Sequence, residues 1–356
     1  QDIDIRTPNT RLMATASIPF ALMELKPNAP MSVQAEGTVG FADITAFMPS
    51  LRQYTSMLSP ATSLLLNLDA AGTLASVDIR RLQADLPRIF SLDARGRVAN
   101  ALKPEKIQGN LDFRASLTSP AFAQKMLNMK DISIPSFDID GKAEIAGQTY
   151  AADFTMRSSA GDVAADGRVS LTAESYTAVV DVNGLNVGHI MPSLGVGTVT
   201  ASLEAHGAGF NPTRPGAASD IRLNIARADY GGHSYSGIAG TVGLHNGEFN
   251  VDLSSSDPDA LLTLKGTGSV GPDKYTVDLT ANVDRLDLHA LGLSPEMSNG
   301  NGYIYVRGTL CPDRWLYDVE LEAENVDWNM PDQYIHLPNG IYATFYAQEA
   351  ETTAHV

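Results

Sequence analysis

The sequence predicts a mainly β protein, an elongated antiparallel repeat sheet interrupted by a few short helices. Three observations support this fold class. Apolar and polar residues alternate with period 2 through most of the 356 residues, Gly-, Asn- and Pro-rich turn signals separate the alternating runs, and similar segments recur 99 positions apart. Such alternation is typical of antiparallel strands with one solvated face, whereas buried parallel strands are apolar throughout.

Five alternating runs illustrate the predicted strands. Their apolar residues begin at Ile107, Tyr150, Ile221, Tyr275 and Tyr317. The run from Tyr275 is the most regular, and the run from Ile221 breaks at residues 226–228. Turns are predicted between strands at Gly231-Gly232, Asn246-Gly247, 271–273 and 299–302.

Helical signals are few. Residues 43–59 have helix-like apolar spacing, and residues 119–130 begin with Ser119 as a plausible cap and Pro120 at the first helical position. We expect both to be short excursions between strands.

An internal repeat organises the chain. Gly141, Asp153 and Gly167 fall on identical residues 99 positions later, and a short loop signature recurs at 43–50, 186–193 and 287–294. The predicted organisation is a degenerate first β-repeat with short helices at 1–136, β-repeats at 137–235 and 236–334, and the truncated start of another repeat at 335–356. A repeat whose strands each have one apolar face builds a one-dimensional array. That face needs a second layer or another apolar partner.

Composition and charge exclude several classes. The net charge of −16 argues against binding nucleic acid or anionic headgroups through the global field. A single cysteine, Cys311, excludes an internal disulfide and a Cys-based zinc site. No apolar stretch reaches about 18 residues, the minimum for a membrane-spanning helix. Because Gln1 follows no initiator Met or signal peptide, we expect an internal fragment whose membrane anchor lies outside it.

Residues that could carry chemistry do not form a recognisable constellation. Residues 266–271 match G-x-G-x-x-G, but Pro272 and an alternating strand follow where a dinucleotide site needs a helix. Asp257-Pro258-Asp259 lacks the ligand series of a calcium loop and predicts a solvated turn. The histidines are scattered and form no metal motif: His189, His206, His233, His245, His289, His336 and His355. We therefore expect no catalytic site, cofactor or metal, and a protein that is not an enzyme.

Several segments share the style of one family. Residues 92–98, 141–145, 266–270 and 303–310 resemble the AsmA-like/TamB superfamily of bacterial envelope proteins, and most of all the TamB-like (translocation and assembly module) members of Bacteroidetes. The resemblance implies a curved, U-shaped trough with an apolar interior. It also implies a periplasmic location, within a protein that is anchored in the inner membrane and acts in phospholipid transport and outer-membrane protein assembly. It implies no catalytic residues.

The leading functional prediction is a lipid-transfer scaffold whose apolar groove carries phospholipid acyl chains between the inner and outer membranes. Burial of each CH₂ contributes about 0.8 kcal/mol, which favours entry of a lipid tail. The predicted groove residues share the apolar phase of their strands. They are Ile107, Leu111, Phe113, Leu117, Tyr150, Phe154, Met156, Val180, Val182, Ile221, Leu223, Ile225, Phe249, Val251, Leu253, Val277, Leu279, Val283, Val319 and Leu321.

Two other functions stay open. The sheet edges could template strands of outer-membrane proteins by β-augmentation, with an outer-membrane barrel protein of the assembly-factor type as partner. A secreted adhesin or carbohydrate-binding β-module is the second alternative, although most aromatic residues fall on the apolar phase of strands. A closed sandwich would instead bury the same faces as an ordinary core.

Overall fold

A computed structural model describes residues 2–17, 28–43, 62–73, 75–100, 103–126, 129, 131–311, 316–348 and 351–355. These residues form 22 strands and short helical turns, and their strand pairings are antiparallel. The predicted mainly β, antiparallel fold class is confirmed. The chain divides into two compact units. Unit 1 comprises Gln1–Thr172 with His189–Ser193, and unit 2 comprises Ala173–Gly188 with Leu194–Val356.

Unit 1 is a meander in which each strand pairs with the next along the chain. Its strands are β1 Asp2–Arg6, β2 Arg11–Ser17, β3 Pro30–Gly40, β4 Ser63–Thr73, β5 Ser76–Leu86, β6 Phe90–Ala99, β7 Gln108–Leu117, β8 Phe137–Ala146, β9 Thr149–Ser158 and β10 Gly161–Ser170. A 3-10 turn at Pro104–Lys106 precedes β7, and helix α1 at Pro120–Met126 follows it. The helix begins at Pro120 as predicted, whereas most of the helix predicted at 43–59 lies outside the described residues.

Unit 2 is a second meander. Its strands are β11 Ser175–Asn186, β12 Val196–Ala208, β13 Ala218–Tyr230, β14 His233–His245, β15 Glu248–Asp257, β16 Ala260–Val270, β17 Tyr275–Asp287, β18 Asn299–Cys311, β19 Leu316–Met330, β20 Gln333–Leu337, β21 Ile341–Gln348 and β22 Glu351–His355. One edge of β19 pairs with β18, and its other edge pairs with β20 and β21 in succession. Helix α2 at Val187–Ile190 and a 3-10 turn at Pro192–Leu194 lie between β11 and β12 in the chain.

Local sequence accounts for most of these strands. The runs predicted from Ile107, Tyr150, Ile221, Tyr275 and Tyr317 correspond to β7, β9, β13, β17 and β19. The break in alternation at 226–228 is a β-bulge, because the register between β12 and β13 shifts by one residue there. The chain reverses at Asn246-Gly247 with φ values of 52° and 81°, which a type I′ hairpin turn requires.

One predicted turn is wrong. Residues 299–302 lie inside β18 rather than between strands. Gly300 is opposite Trp328 of β19, and a Cβ at Gly300 would lie 2.5 Å from the indole Cε3. The glycine therefore makes room for a large neighbour across the sheet, a requirement set by tertiary contact rather than by turn geometry.

The strand pattern carries the 99-residue periodicity. Strands β9 and β15 have the same length, and their first residues, Thr149 and Glu248, are 99 positions apart. Gly141 lies opposite Phe154 in one hairpin, as Gly240 lies opposite Leu253 in the corresponding hairpin. The boundary between the two units falls inside the repeat predicted at 137–235, and the repeat boundaries stay a prediction. In the described part of the chain, no helix has both the length and the apolar character needed to cross a membrane.

Candidate functional site

One face of the unit 1 sheet is apolar across successive strands. In one row, side chains from β4 to β9 lie side by side: Leu68, Leu82, Ala94, Phe113, Gly141 and Phe154. The next row holds Leu66, Ala84, Leu92, Ala115, Ile139 and Met156. Since side chains of one strand alternate between faces, the antiparallel register keeps these residues on one surface.

Unit 2 has an equivalent apolar face. One row crosses ten strands through Val180, Leu203, Leu223, Gly240, Leu253, Leu264, Ala281, Ile304, Ala323 and Ile341. The register therefore brings the predicted groove residues of β11 to β19 onto a single surface, and those of β7 and β9 onto the surface of unit 1. Ile107 lies just before β7 and takes no part in these rows.

The burial of these side chains is intermediate. Of the twenty predicted groove residues, sixteen are half-buried. Leu117 and Val283 are buried, and Tyr150 and Leu321 are 42% and 38% exposed. A second layer packed at core density would bury most of them, because protein interiors are close-packed. Within each unit, the described strands make their extensive contacts with hydrogen-bonded neighbours of the same sheet.

Glycines alternate with large side chains across these faces. A Cβ at Gly266 would lie 2.7 Å from Leu279 Cδ2, and a Cβ at Gly141 would lie 2.6 Å from Phe154 Cβ. The space above each glycine is thus occupied by the neighbouring large residue. The result is a lining in which small and large residues fit together from strand to strand.

The opposite face of unit 1 carries charges of alternating sign. Asp112 lies between Arg95 and Lys142 in one cross-strand row, and Arg95 Nε lies 3.5 Å from the Asp112 carboxylate. A depression on this face is lined by such residues, including Asp93, Arg114 and others of both signs. Because carboxylates and cationic groups are interspersed around it and solvated, the depression has no strong preference for a charged ligand.

Tyrosines and carboxylates mix on the polar face of unit 2, which the sequence pattern did not predict. Tyr305 and Tyr342 lie on either side of Glu322 of β19. The Tyr305 hydroxyl donates a hydrogen bond to Asp278 Oδ2 at 3.1 Å. The guanidinium of Arg307 lies over the Tyr305 ring, with its Cζ 5.4 Å from the ring centroid. Desolvation, followed by the hydrogen bond to Asp278, raises the pKa of Tyr305. Both tyrosines occupy the polar phase of the alternation in their strands. The sequence therefore contained a signal for their position on this face, although no role was predicted for them.

A histidine and two aspartates meet at one end of unit 2. His233 begins β14, Asp257 ends β15 and Asp259 follows in the turn to β16. Ligand atoms of the three side chains lie within 4.8 Å of one another. Asp257 is only 1% exposed, so the prediction of a solvated turn is wrong for this residue. Its side chain is held inside because it receives hydrogen bonds from the turn and from β14.

Asp257 is fixed by three donors. One carboxylate oxygen accepts from the amide of Asp259 at 2.9 Å, and the other accepts from the amide and hydroxyl of Ser236 at 2.8 and 3.2 Å. Burial raises the pKa of Asp257, but these amides, the Ser236 hydroxyl and His233 outweigh it and lower the pKa below its ordinary value. The carboxylate is therefore ionised at neutral pH.

The glycine-rich G-x-G-x-x-G sequence lies almost entirely in β16, where Gly266 and Gly268 pair with Leu279 and Val277. A strand leading into a turn, as predicted, replaces the loop and helix of a dinucleotide site. No family model, curated protein or solved structure matches this chain.

Proposed function

We propose that the apolar faces bind phospholipid acyl chains, and that the chain is a lipid-transfer segment of the AsmA-like/TamB type acting in the periplasm. The observation that carries the proposal is that fifteen of the twenty predicted groove side chains are half-buried and lie in continuous cross-strand rows. Side chains this apolar are stabilised by contact with a nonpolar partner, and contiguous apolar surface that is left partly exposed marks ligand or partner sites.

Acyl chains fit this lining in both energy and shape. Each CH₂ that leaves water contributes about 0.8 kcal/mol when fully buried, so even partial burial of a tail gives several kcal/mol. Strands repeat every ~4.8 Å along the sheet, and each presents a similar mixture of small and branched apolar residues. Displacement of a tail by one strand therefore exchanges one set of contacts for an equivalent set, which permits passive sliding.

Site-specific photocrosslinking tests the proposal. A photoreactive residue replaces Leu279 on the apolar face, and the matched control replaces Thr280, the next residue on the opposite face of β17. We expect lipid adducts at position 279 in cells and none at position 280. Equal yields at both positions, or no lipid at either, would contradict the proposal.

The same experiment separates the lipid proposal from strand templating, its main alternative. If the chain templates strands of outer-membrane proteins, the photoreactive residue at position 279 will give protein adducts rather than lipid adducts.

A further inference from the structure

The geometry points to a divalent transition-metal site, with Zn²⁺ as the best-fitting ion, formed by His233, Asp257 and Asp259 in unit 2. These three residues are called the His233 cluster below. The inference concerns the strand ends of unit 2 and is independent of what the apolar faces bind.

The imidazole of His233 presents a free lone pair to the cluster. Its Nδ1 lies 3.2 Å from the carbonyl oxygen of Ala290, and because a carbonyl only accepts, Nδ1 carries the hydrogen. In neutral His233, Nε2 is then unprotonated. This nitrogen is fully buried and has no hydrogen-bond partner among the described residues. A buried polar atom without a partner is costly and calls for a ligand.

That nitrogen faces a buried carboxylate. His233 Nε2 lies 3.6 Å from Asp257 Oδ1, which is longer than the ~2.8 Å of a charge-assisted hydrogen bond. Two ligand atoms bound to one tetrahedral Zn²⁺ at about 2.1 Å are separated by roughly 3.4 Å. The observed spacing therefore fits two donors of one metal ion better than a direct hydrogen bond.

The surroundings provide the outer contacts that metal ligands need. Metal-binding histidines generally donate their other ring N–H to a carbonyl or carboxylate, as His233 does to Ala290. The amide of Asp259 and the backbone of Ser236 hold the Asp257 carboxylate in place. The ring of Tyr235 packs edge-on against His233 with a centroid distance of 4.6 Å, which further restricts the imidazole.

Asp259 supplies the third donor. Its carboxylate lies 3.7 Å from Arg285 Nη2, a distance at which the ion pair is weak and the carboxylate can turn toward a metal. One imidazole and two carboxylates suit Zn²⁺, whereas Ca²⁺ and Mg²⁺ prefer sites made of oxygen alone. Three protein ligands leave a fourth position for water. The ion would join the β13–β14 turn, the β15–β16 turn and the segment after β17.

Metal binding by the untagged, chelator-treated full chain tests the site. We expect isothermal titration with Zn²⁺ to give one site per chain, a rise in Tm on adding Zn²⁺, and no comparable rise with Ca²⁺. Asp259→Asn and His233→Ala should each weaken Zn²⁺ binding by about 100-fold or more, since even outer-contact changes cost 10- to 100-fold. Circular dichroism confirms that each variant is folded.

The matched control is His206→Ala. His206 Nε2 lies 3.2 Å from Asp220, but both side chains are about 70% exposed and no third ligand among the described residues joins them. This variant should bind Zn²⁺ like the unaltered chain. The inference is overturned if the chain binds no Zn²⁺ at one equivalent, if Asp259→Asn and His233→Ala bind unchanged, or if His206→Ala abolishes binding. A pH-dependent Tm that requires His233 without any Zn²⁺ effect would identify a histidine–aspartate ion pair instead.

Discussion

Replacement of Gly266 by alanine tests whether glycines fit large side chains together on the apolar face of unit 2. Gly266 of β16 lies between Val251 and Leu279. A methyl group there would contact the carbonyl oxygen of Asp278 and would lie 2.7 Å from Leu279 Cδ2 and 2.8 Å from Leu279 Cα. Nonbonded carbons are most stable at about 3.5–4.0 Å, and the paired backbone cannot retreat without loss of hydrogen bonds. We expect unfolding free energy to fall by about 1–3 kcal/mol.

The assay is urea unfolding followed by circular dichroism, with Gly308→Ala as the matched control. Gly308 occupies the same face between Val277 and Val319, but a methyl there would lie 3.3 and 3.4 Å from their Cγ2 atoms. Those methyl groups can shift, so we expect a change within about 1 kcal/mol of either sign. An equal loss in both variants would refute the reasoning that close backbone approach makes Gly266 necessary.

Three further predictions are also tested by urea unfolding followed by circular dichroism. Because its folded pKa is lowered, Asp257 stabilises the fold above its unfolded pKa of about 3.9, and this contribution is lost as the pH falls through the folded pKa. Asp257→Asn should therefore flatten the loss of stability as the pH falls below the unfolded pKa of about 3.9 toward the lower folded pKa, and an unchanged pH profile would contradict this. Gly247→Ala should cost about 1–2 kcal/mol because φ is 81° in the hairpin turn, and a stabilised variant would disprove it. Leu321→Asp should fold, since Leu321 is 38% exposed, whereas Val283→Asp at 6% exposure should not. Equal denaturation midpoints for these two variants would show that exposure does not separate lining from core.

Strand identity was predictable because it depends on neighbouring residues. The period-2 pattern from Tyr275 gave β17, and the broken pattern after Ile225 marked a bulge. The fit of Gly300 to Trp328 was not predictable in this way, because the two residues are 28 positions apart and meet only through the pairing of β18 with β19. Glycine-rich sequence signals both turns and close packing, and only the partner strand distinguishes them.

The His233 cluster was hidden for a related reason. His233 and Asp257 are 24 positions apart, a spacing that no metal motif uses, and they meet because a meander places alternate turns at the same end of the sheet. The strand order was the missing information. If the hairpins β13–β14 and β15–β16 had been assigned, the sequence would have predicted that His233, at the start of β14, lies near Asp257, at the end of β15.

The glycines link stability to the proposed function. A residue such as Gly240 accepts the Leu253 side chain over its backbone, which keeps the two strands in close contact and leaves no large side chain projecting from that position. Replacement of such a glycine by a larger residue would both strain the sheet and place a protruding side chain on its apolar face. Glycine variants therefore cannot separate an effect on folding from an effect on the proposed lipid movement. Substitutions at partly exposed apolar positions such as Leu203 and Leu321 can separate the two, because these side chains are 37% and 38% exposed and a polar replacement there changes the polarity of the apolar face without burying a polar group.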